Sequence, residues 1–296
     1  MEATKNAGIR PPVIGIIGYG VVGKAMAQGF PNCPISISDP ALDQGSVPIP
    51  EVYLKSDFVF ICVPTPMKGD GGPPDVSILT SVMREIHEHC RNTQVHSDRA
   101  VLIIKSTTPP RELSKLQADF PELRITMSPE YLNDTDPVKN FLNANLLVVG
   151  ADHPDDAGAV VSLFVAWSIC KPCPSFIVDL EAAGVIKYME NTFLALKVIF
   201  MNQWAGVVAN LDTVTPWNDI VAAFHGDPRL GCSHGMVPGP DGDVGYGGKC
   251  FPKDIAAAIK FAHEYGSPLT LVEDARKVND DIRSQRDWLD IEGAVS

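Results

Sequence analysis

The segment Gly245-Tyr246-Gly247-Gly248-Lys249-Cys250-Phe251-Pro252-Lys253-Asp254 sets a cysteine after a glycine-rich loop, between two lysines and beside a helix start. Nearby cations and the positive end of a helix favour the thiolate, the nucleophilic form of cysteine. A thiolate so placed can attack a carbonyl and carry a covalent intermediate. Asp254 can hold the water that releases it. The ordinary reading of a cysteine is a small buried hydrophobe, and the other six fit that reading better than Cys250 does. Further back, on a stretch that reads as one long helix with Gly184 near its start, Lys187 and Asn191 lie four apart and project from one face. A cation and an amide there can together hold a reacting oxygen; Lys197 is off that face. Lysine and asparagine on a helix are usually solvated, but Ile186, Met189, Phe193 and Leu194 beside them point to a largely buried helix.

A second chemistry stands near the N-terminus. Gly18-Tyr19-Gly20-Val21-Val22-Gly23 lies between an apolar strand and a helix. Its glycines permit a tight turn and close approach of a pyrophosphate, which the helix N-terminus then stabilises. Asp39 ends the second strand about 20 residues on, where a carboxylate holds the ribose 2′-hydroxyl and repels a 2′-phosphate. NAD is therefore favoured over NADP. Two further apolar strands end in hydroxyl residues, one at Pro64-Thr65 and one at Ser106-Thr107. Ligands of open parallel sheets bind outside the carboxyl ends of the strands, so these hydroxyls either touch cofactor or substrate or serve only as turns and caps. Ser128-Pro129-Glu130-Tyr131 follows a third strand, and Glu130 reads as a base, a water-orienting group or a surface acid.

These residues need elements to position them. Short apolar runs at Val13–Ile17, Ile35–Ser38, Phe58–Val63, Val101–Lys105, Arg124–Met127, Leu146–Val149 and Phe176–Val178 read as strands. Helical stretches between them, at Val21–Gly29, Val76–Cys90 (with Asp75 as N-cap), Glu112–Asp119 and Asp155–Trp167, complete the pattern of a parallel sheet covered on both faces. After Asp179 the chain turns helical: Leu180–Leu211 as one long helix, then Trp217–Phe224, a glycine-rich loop, and Lys253–His263. The fold class is thus α/β, a Rossmann-type parallel sheet over residues 1–179 followed by an all-α domain with a long helix over 180–296. Leu271, Ala275, Val278, Ile282 and Leu289 make a narrow apolar stripe on a last charged helix. That stripe needs a partner, either a second subunit or its own domain.

Composition narrows the partners. With 296 residues, 45% hydrophobic and 20% charged, the chain has a globular composition and room for two domains. A net charge of -12 argues against nucleic acid or an anionic membrane as the main partner. The opening MEATKNAGIRPP lacks the apolar core of a signal peptide, and no later run reads as a membrane span. Seven cysteines, an odd number, suggest a reducing cytoplasm rather than a disulfide framework. Cys170-Lys-Pro-Cys173 invites a redox or zinc reading with Cys232 and His234 as further ligands, but two thiols in a loop is the plainer one, and no metal is expected.

Taken in order, GYGVVG, VPTP with Asp70-Gly71 and Asp75-Val76-Ser77, KSTTP, SPEYL, the Lys187–Asn191 helix, Asp227-Pro-Arg229-Leu-Gly231 and GYGGKCFPKD resemble the UDP-glucose/GDP-mannose dehydrogenase family from about Val13 to Leu289. The resemblance implies a four-electron oxidation of a nucleotide sugar at carbon 6 with NAD. Cys250 would carry first a thiohemiacetal and then a thioester. Lys187 and Asn191 would stabilise the oxyanion, while Glu130, Thr107 and Asp254 would manage protons and water. Arg229 would contact substrate, joined by Tyr131, Tyr246 and Gly247, and the cofactor would lie along Gly18–Gly23, Asp39, Pro64, Thr65 and Ser106. A homodimer through the helical domain is implied too. Two departures stand out: Asn133-Asp134 replace the family's usual Arg-Glu, and the family's further nucleotide-binding domain has no counterpart before Ser296. The competing readings are a one-step β-hydroxyacid dehydrogenase, which needs no nucleophilic thiol, and a non-catalytic or partner-dependent NAD or nucleotide-sugar-binding module.

Overall fold

A computed structural model describes residues 10–94, 99–132 and 136–296. Asn133 and Asp134 lie outside these residues, as does most of the opening segment. The chain divides into two compact units, one of residues 1–65 with 76–187 and one of residues 66–75 with 188–296.

In the first unit, β1 (Ile14–Ile17), β2 (Ile35–Ser38), β3 (Phe58–Ile61), β4 (Val101–Ile104), β5 (Arg124–Met127), β6 (Leu147–Ala151) and β7 (Ser175–Val178) form one sheet. Its order is β2-β1-β3-β4-β5-β6-β7. Successive strand side chains point to opposite faces; in the inner strands β1, β3 and β4 both faces are buried, which is why these read as apolar runs, while the edge strands β2 and β7 are more exposed. Val59, Ile61, Leu102 and Ile104 pack on one side with α2 (Ile49–Lys55), α3 (Ser77–Thr93) and α4 (Pro110–Asp119). Ile14, Ile16, Phe60 and Ile103 pack on the other with α1 (Val21–Gly29), α5 (Pro137–Leu142) and α6 (Pro154–Trp167). One pairing departs from the expected parallel sheet. β6 runs antiparallel to β5, with Thr126 opposite Ala151 and Met127 opposite Gly150. Asp75 is not the cap of α3, whose N-cap is Val76 without a side-chain bond.

The second unit takes α7 (Leu180–Ala209) from Tyr188 onward, then α8 (Trp217–Phe224), α9 (Phe251–Glu264), α10 (Thr270–Ile282) and a 3-10 turn at Asp287–Leu289. It also takes Pro66–Asp75, where the Asp75 amide donates to Pro66 O at 2.6 Å. This ten-residue stretch is tied to the C-terminal residues. The Met67 amide donates to Ala294 O and the Ser296 amide to Met67 O, both at 2.8 Å. Asp70 accepts from Trp288 Nε1 at 3.2 Å and pairs with Arg286.

The expected stripe on the last helix is shifted. Val272, Ala275 and the polar Asn279 are the buried residues, with Val278 and Ile282 packed beside them, while Leu271 is 68% exposed. Leu289 falls beyond the helix, because the periodicity breaks at Arg283. A further correction concerns membrane-like runs. By length and composition alone α7 is long and apolar enough to cross a membrane, and 28% of its most apolar stretch is buried. The sequence shows no unbroken apolar run there because Lys197, Asn202 and Gln203 interrupt it.

Candidate active site

At the carboxyl end of β1, Gly18 has φ +90°, and a Cβ there would come within 2.7 Å of Cys62 O. A Cβ on Gly23 would stand 2.1 Å from Gly18 O, so the turn closes on α1 only with glycine at both places. Gly20 differs: nothing lies within 4 Å of an added Cβ. No side chain caps α1 and no acid stands in its first turn, at Val21 and Val22. Bare helix N-terminal amides beside open space suit a phosphate. The Tyr19 amide donates to Asp39 Oδ2, and the Ala41 amide to Asp39 Oδ1 at 2.7 Å. Asp39 is thereby fixed next to the glycine turn, as a ribose-binding acid requires. At the next strand ends, Thr65 Oγ1 donates to Thr107 O at 3.0 Å and Ser106 Oγ to Val63 O at 2.6 Å. Both hydroxyls brace β3 against β4, and their oxygens remain able to accept. Pro64 is exposed and Thr107 half-buried at this rim.

The Glu130 turn is held by lysines. Lys187 is 5% exposed. Its Nζ donates to Glu130 O at 2.6 Å, stands 3.6 Å from Glu130 Oε1 and lies 5.3 Å from the centre of the Tyr131 ring. The Leu132 amide donates to Glu130 Oε2 at 2.6 Å. Lys105 reaches the same turn from β4, donating to Pro129 O at 3.2 Å and Ser128 Oγ at 3.4 Å. Burial pushes its amine down to about 8, against the pull of Cys62 and Glu130. Burial likewise pushes the Cys62 thiol up to about 12, although Lys105 draws it back. Sequence reasoning passed over Lys105. Its one signal was a cation set directly behind an apolar strand.

In the second unit, Cys250 is exposed at the N-cap of α9. One turn on, Asp254 is 1% exposed. Its Oδ2 accepts from Asn191 Nδ2 at 2.5 Å and its Oδ1 from Lys253 Nζ at 2.7 Å. The sequence paired Asn191 with Lys187 on one oxygen; here the amide of Asn191 is engaged by Asp254 and the amine of Lys187 by the Glu130 turn. Beside Asp254, the buried Tyr188 hydroxyl has no hydrogen-bond partner, and burial with the Asp254 charge pushes its pKa well up.

The glycine loop is tied by residues the motif does not contain. Gly245 N donates to Asn202 Oδ1 at 3.1 Å, Tyr246 N to Asn279 Oδ1 at 2.7 Å and Gly248 N to Asp287 Oδ2 at 3.0 Å. A Cβ on Gly247 would meet Arg283 at 2.2 Å and Asp287 at 2.3 Å. No local pattern in the sequence announces Asn202, Asn279, Arg283 and Asp287, which come from two other elements and a turn. Tyr246, expected at the substrate, is buried with its ring against Phe251 and its hydroxyl unpartnered. Its backbone amide and carbonyl are both bonded to Asn279. Arg229 has an 84% exposed side chain paired with Asp227, and Lys197 orders the adjoining turn by donating to Leu230 O and Gly231 O at 3.0 and 2.8 Å. All seven cysteines are free thiols. Among the described residues, no group of three or more His, Cys, Asp or Glu is arranged to hold a metal ion.

A sheet with a glycine turn at its first strand end, followed by a helical unit, defines a Rossmann-type dinucleotide-binding chain. Residues 44–168 match the NAD binding domain of the UDP-glucose/GDP-mannose dehydrogenase family, and residues 181–281 match its central domain. The chain belongs to the UDP-glucose/GDP-mannose dehydrogenase family. It is similar to the UDP-glucose 6-dehydrogenase of Rhizobium meliloti, 29% identical over 232 residues, or 76% of this chain and 50% of that protein. It is also similar to the UDP-glucose 6-dehydrogenase YwqF of Bacillus subtilis, 27% identical over 235 residues, or 76% of this chain and 49% of that protein. In structure it is similar to a UDP-glucose dehydrogenase of Pyrobaculum islandicum, with a TM-score of 0.77 at 23% identity, covering 93% of this chain and 69% of that one. The chain spans about half the length of the curated relatives it matches.

Proposed function

We propose that this chain oxidises the carbon 6 alcohol of a nucleotide sugar of UDP-glucose type to the carboxylate, in two NAD-dependent steps through a thioester on Cys250. The observation that carries this reading is the exposed Cys250 at the start of α9 with Asp254 buried one turn on, gripped by Asn191 and Lys253. Gly18–Gly23, with Asp39 at the ribose and Pro64, Thr65 and Ser106 at the strand ends, would hold NAD, which when bound would supply the hydride acceptor for each step. Glu130 and Thr107 handle the alcohol proton as the aldehyde forms. The Cys250 sulfur adds to the aldehyde carbon, and the oxygen gains a proton to leave a thiohemiacetal. Loss of a hydride and that proton gives the thioester. Water held by Asp254 attacks the thioester carbon and expels the thiolate, which restores Cys250 and yields the acid. Lys187 and the second amide hydrogen of Asn191 stabilise the oxyanions.

Residues 1–179 act as the NAD-binding domain and 180–296 as the substrate and dimerisation domain. Tyr131, Arg229, Tyr246 and Gly247 contact the nucleotide sugar. A cytoplasmic setting is supported by the seven free thiols.

The test is to incubate the chain with NAD and UDP-glucose, with GDP-mannose in parallel, and count NADH per sugar consumed. Two NADH and a carboxylate are expected. Cys250→Ser should lower acid formation by at least about 10³-fold while NAD binding persists. One NADH per substrate with no effect of Cys250→Ser would establish single-step oxidation instead. NAD binding without NADH would mark a binding unit that needs another chain.

A further inference from the structure

Lys105 carries a charge that the chemistry above does not use. It directly follows β4 and is 4% exposed, so its Nζ must find partners inside the protein. The two it finds, Ser128 Oγ and Pro129 O, both belong to the turn that presents Glu130. Four elements supply the titratable groups facing it: Cys62 after β3, Glu130 after β5, Cys170 after α6 and Lys187 on α7. Glu130 and the two thiols favour the ammonium, whereas burial and Lys187 oppose it. Lys187 grips the same turn through Glu130 O and the Glu130 carboxylate. One carboxylate therefore answers to two lysines. A cavity of about 280 Å³ is lined by Lys105, Glu130, Tyr131 and Cys170, with Phe141 and Phe164 among its apolar walls. That volume is large enough for water beside the buried amine.

We propose that Lys105 is a positioning residue for Glu130: it anchors the Ser128–Pro129 turn, and its charge sets how firmly Lys187 holds the Glu130 carboxylate. With Lys105 charged, the carboxylate is shared by two cations. With Lys105 neutral, the charge of Lys187 and the Leu132 amide hold it. The change falls at about pH 8, where the buried amine loses its proton. The proposal gains its catalytic meaning from the reading of Glu130 given above, but its test needs neither substrate nor cofactor.

The Leu132 amide, which donates to Glu130 Oε2 at 2.6 Å, reports on the carboxylate. Carbon-detected NMR of the intact chain between pH 6 and 10 follows both the Lys105 side chain and the Leu132 nitrogen. Lys105 should titrate at about 8, and Leu132 should show a step with the same midpoint. Glu130→Gln should lower the Lys105 midpoint by roughly one unit, and Lys187→Met should raise it by a similar amount. Lys105→Arg stays charged and Lys105→Met stays neutral, so both should abolish the Leu132 step and leave that nitrogen at opposite ends of the wild-type range. A Lys105 that titrates like an ordinary lysine overturns the proposal. So does a Leu132 signal blind to the Lys105 titration. If Lys105→Met fails to fold, Lys105→Arg and Glu130→Gln still decide. A chain that never reduces NAD would sink the proposed function and leave this result standing.

Discussion

Burial lowers the Lys105 amine from the ordinary 10.5 to about 8, so the folded chain binds that proton more weakly than the unfolded one does. Between those two values the unfolded state carries more protons, and stability therefore rises with pH. Below about pH 8 the amine is charged in both states and its burial costs the fold roughly 3 kcal/mol, an upper figure because the bonds to Ser128 and Pro129 offset part of it. Lys105→Met should thus be more stable than wild type in urea at pH 7, and its advantage should shrink as the pH is raised through 8 toward 10. An advantage that stays constant across that range would mean the amine is not the source. At this scale the sequence was legible where chemistry is local. Cys250 announces itself through its own neighbours, and the engagement of Asp254 by Lys253 joins adjacent residues. Lys105 was not legible, because a lysine after a strand ordinarily reaches water, and only the fold shows that this one does not.

Among the elements, the glycine turn separates folding from binding. Gly23 has no room, since a Cβ would stand 2.1 Å from a backbone oxygen, whereas Gly20 has open space around it. Gly23→Ala should lose roughly 3 kcal/mol of stability by overpacking. Gly20→Ala should unfold at the wild-type midpoint yet bind NAD at least about 10-fold more weakly, because the added methyl occupies the space a pyrophosphate needs. Calorimetric titration with NAD beside thermal melts checks both; equal losses of stability would refute the distinction. The inner strands could be read in advance because burial on both faces leaves runs such as Val59-Phe60-Ile61 wholly apolar, and the exposed edge strands β2 and β7 were legible from their short stretches of Ile, Phe and Val. The short α2 and α5 could not, since prolines at 48, 50 and 137 read as loop and too few turns exist to show a period. The reversed direction of β6 was equally hidden, because strand direction is set by partners and not by local composition.

For the whole molecule, the open question raised by α7 is what covers it. Met189, Phe193, Phe200, Trp204 and Val207 are exposed along its length, spaced three, four or seven apart as one stripe of a helix. A cavity of about 570 Å³ beside it is lined by Phe193, Phe200, Phe224, Leu230 and Leu271. An apolar patch of this extent marks an association surface, and the proposed homodimer would use it. Sedimentation should find a dimer that weakens by about 100-fold or more in the Phe193→Glu, Trp204→Glu double variant, two buried aromatics being worth that much. An unchanged assembly would remove α7 from the interface. The sequence hinted at a partner through α10, whose charged background makes its stripe conspicuous, whereas α7 is apolar nearly all round and shows no such contrast. The discontinuous second unit has a consequence for inheritance. Pro66–Asp75 is encoded within the first unit but is bonded to Ala294, Ser296 and Trp288 at the far end of the chain. A single genetic crossover near residue 187 would therefore give every hybrid a clasp from one parent and its catch from the other, so the two units are bound to be inherited and to diverge together.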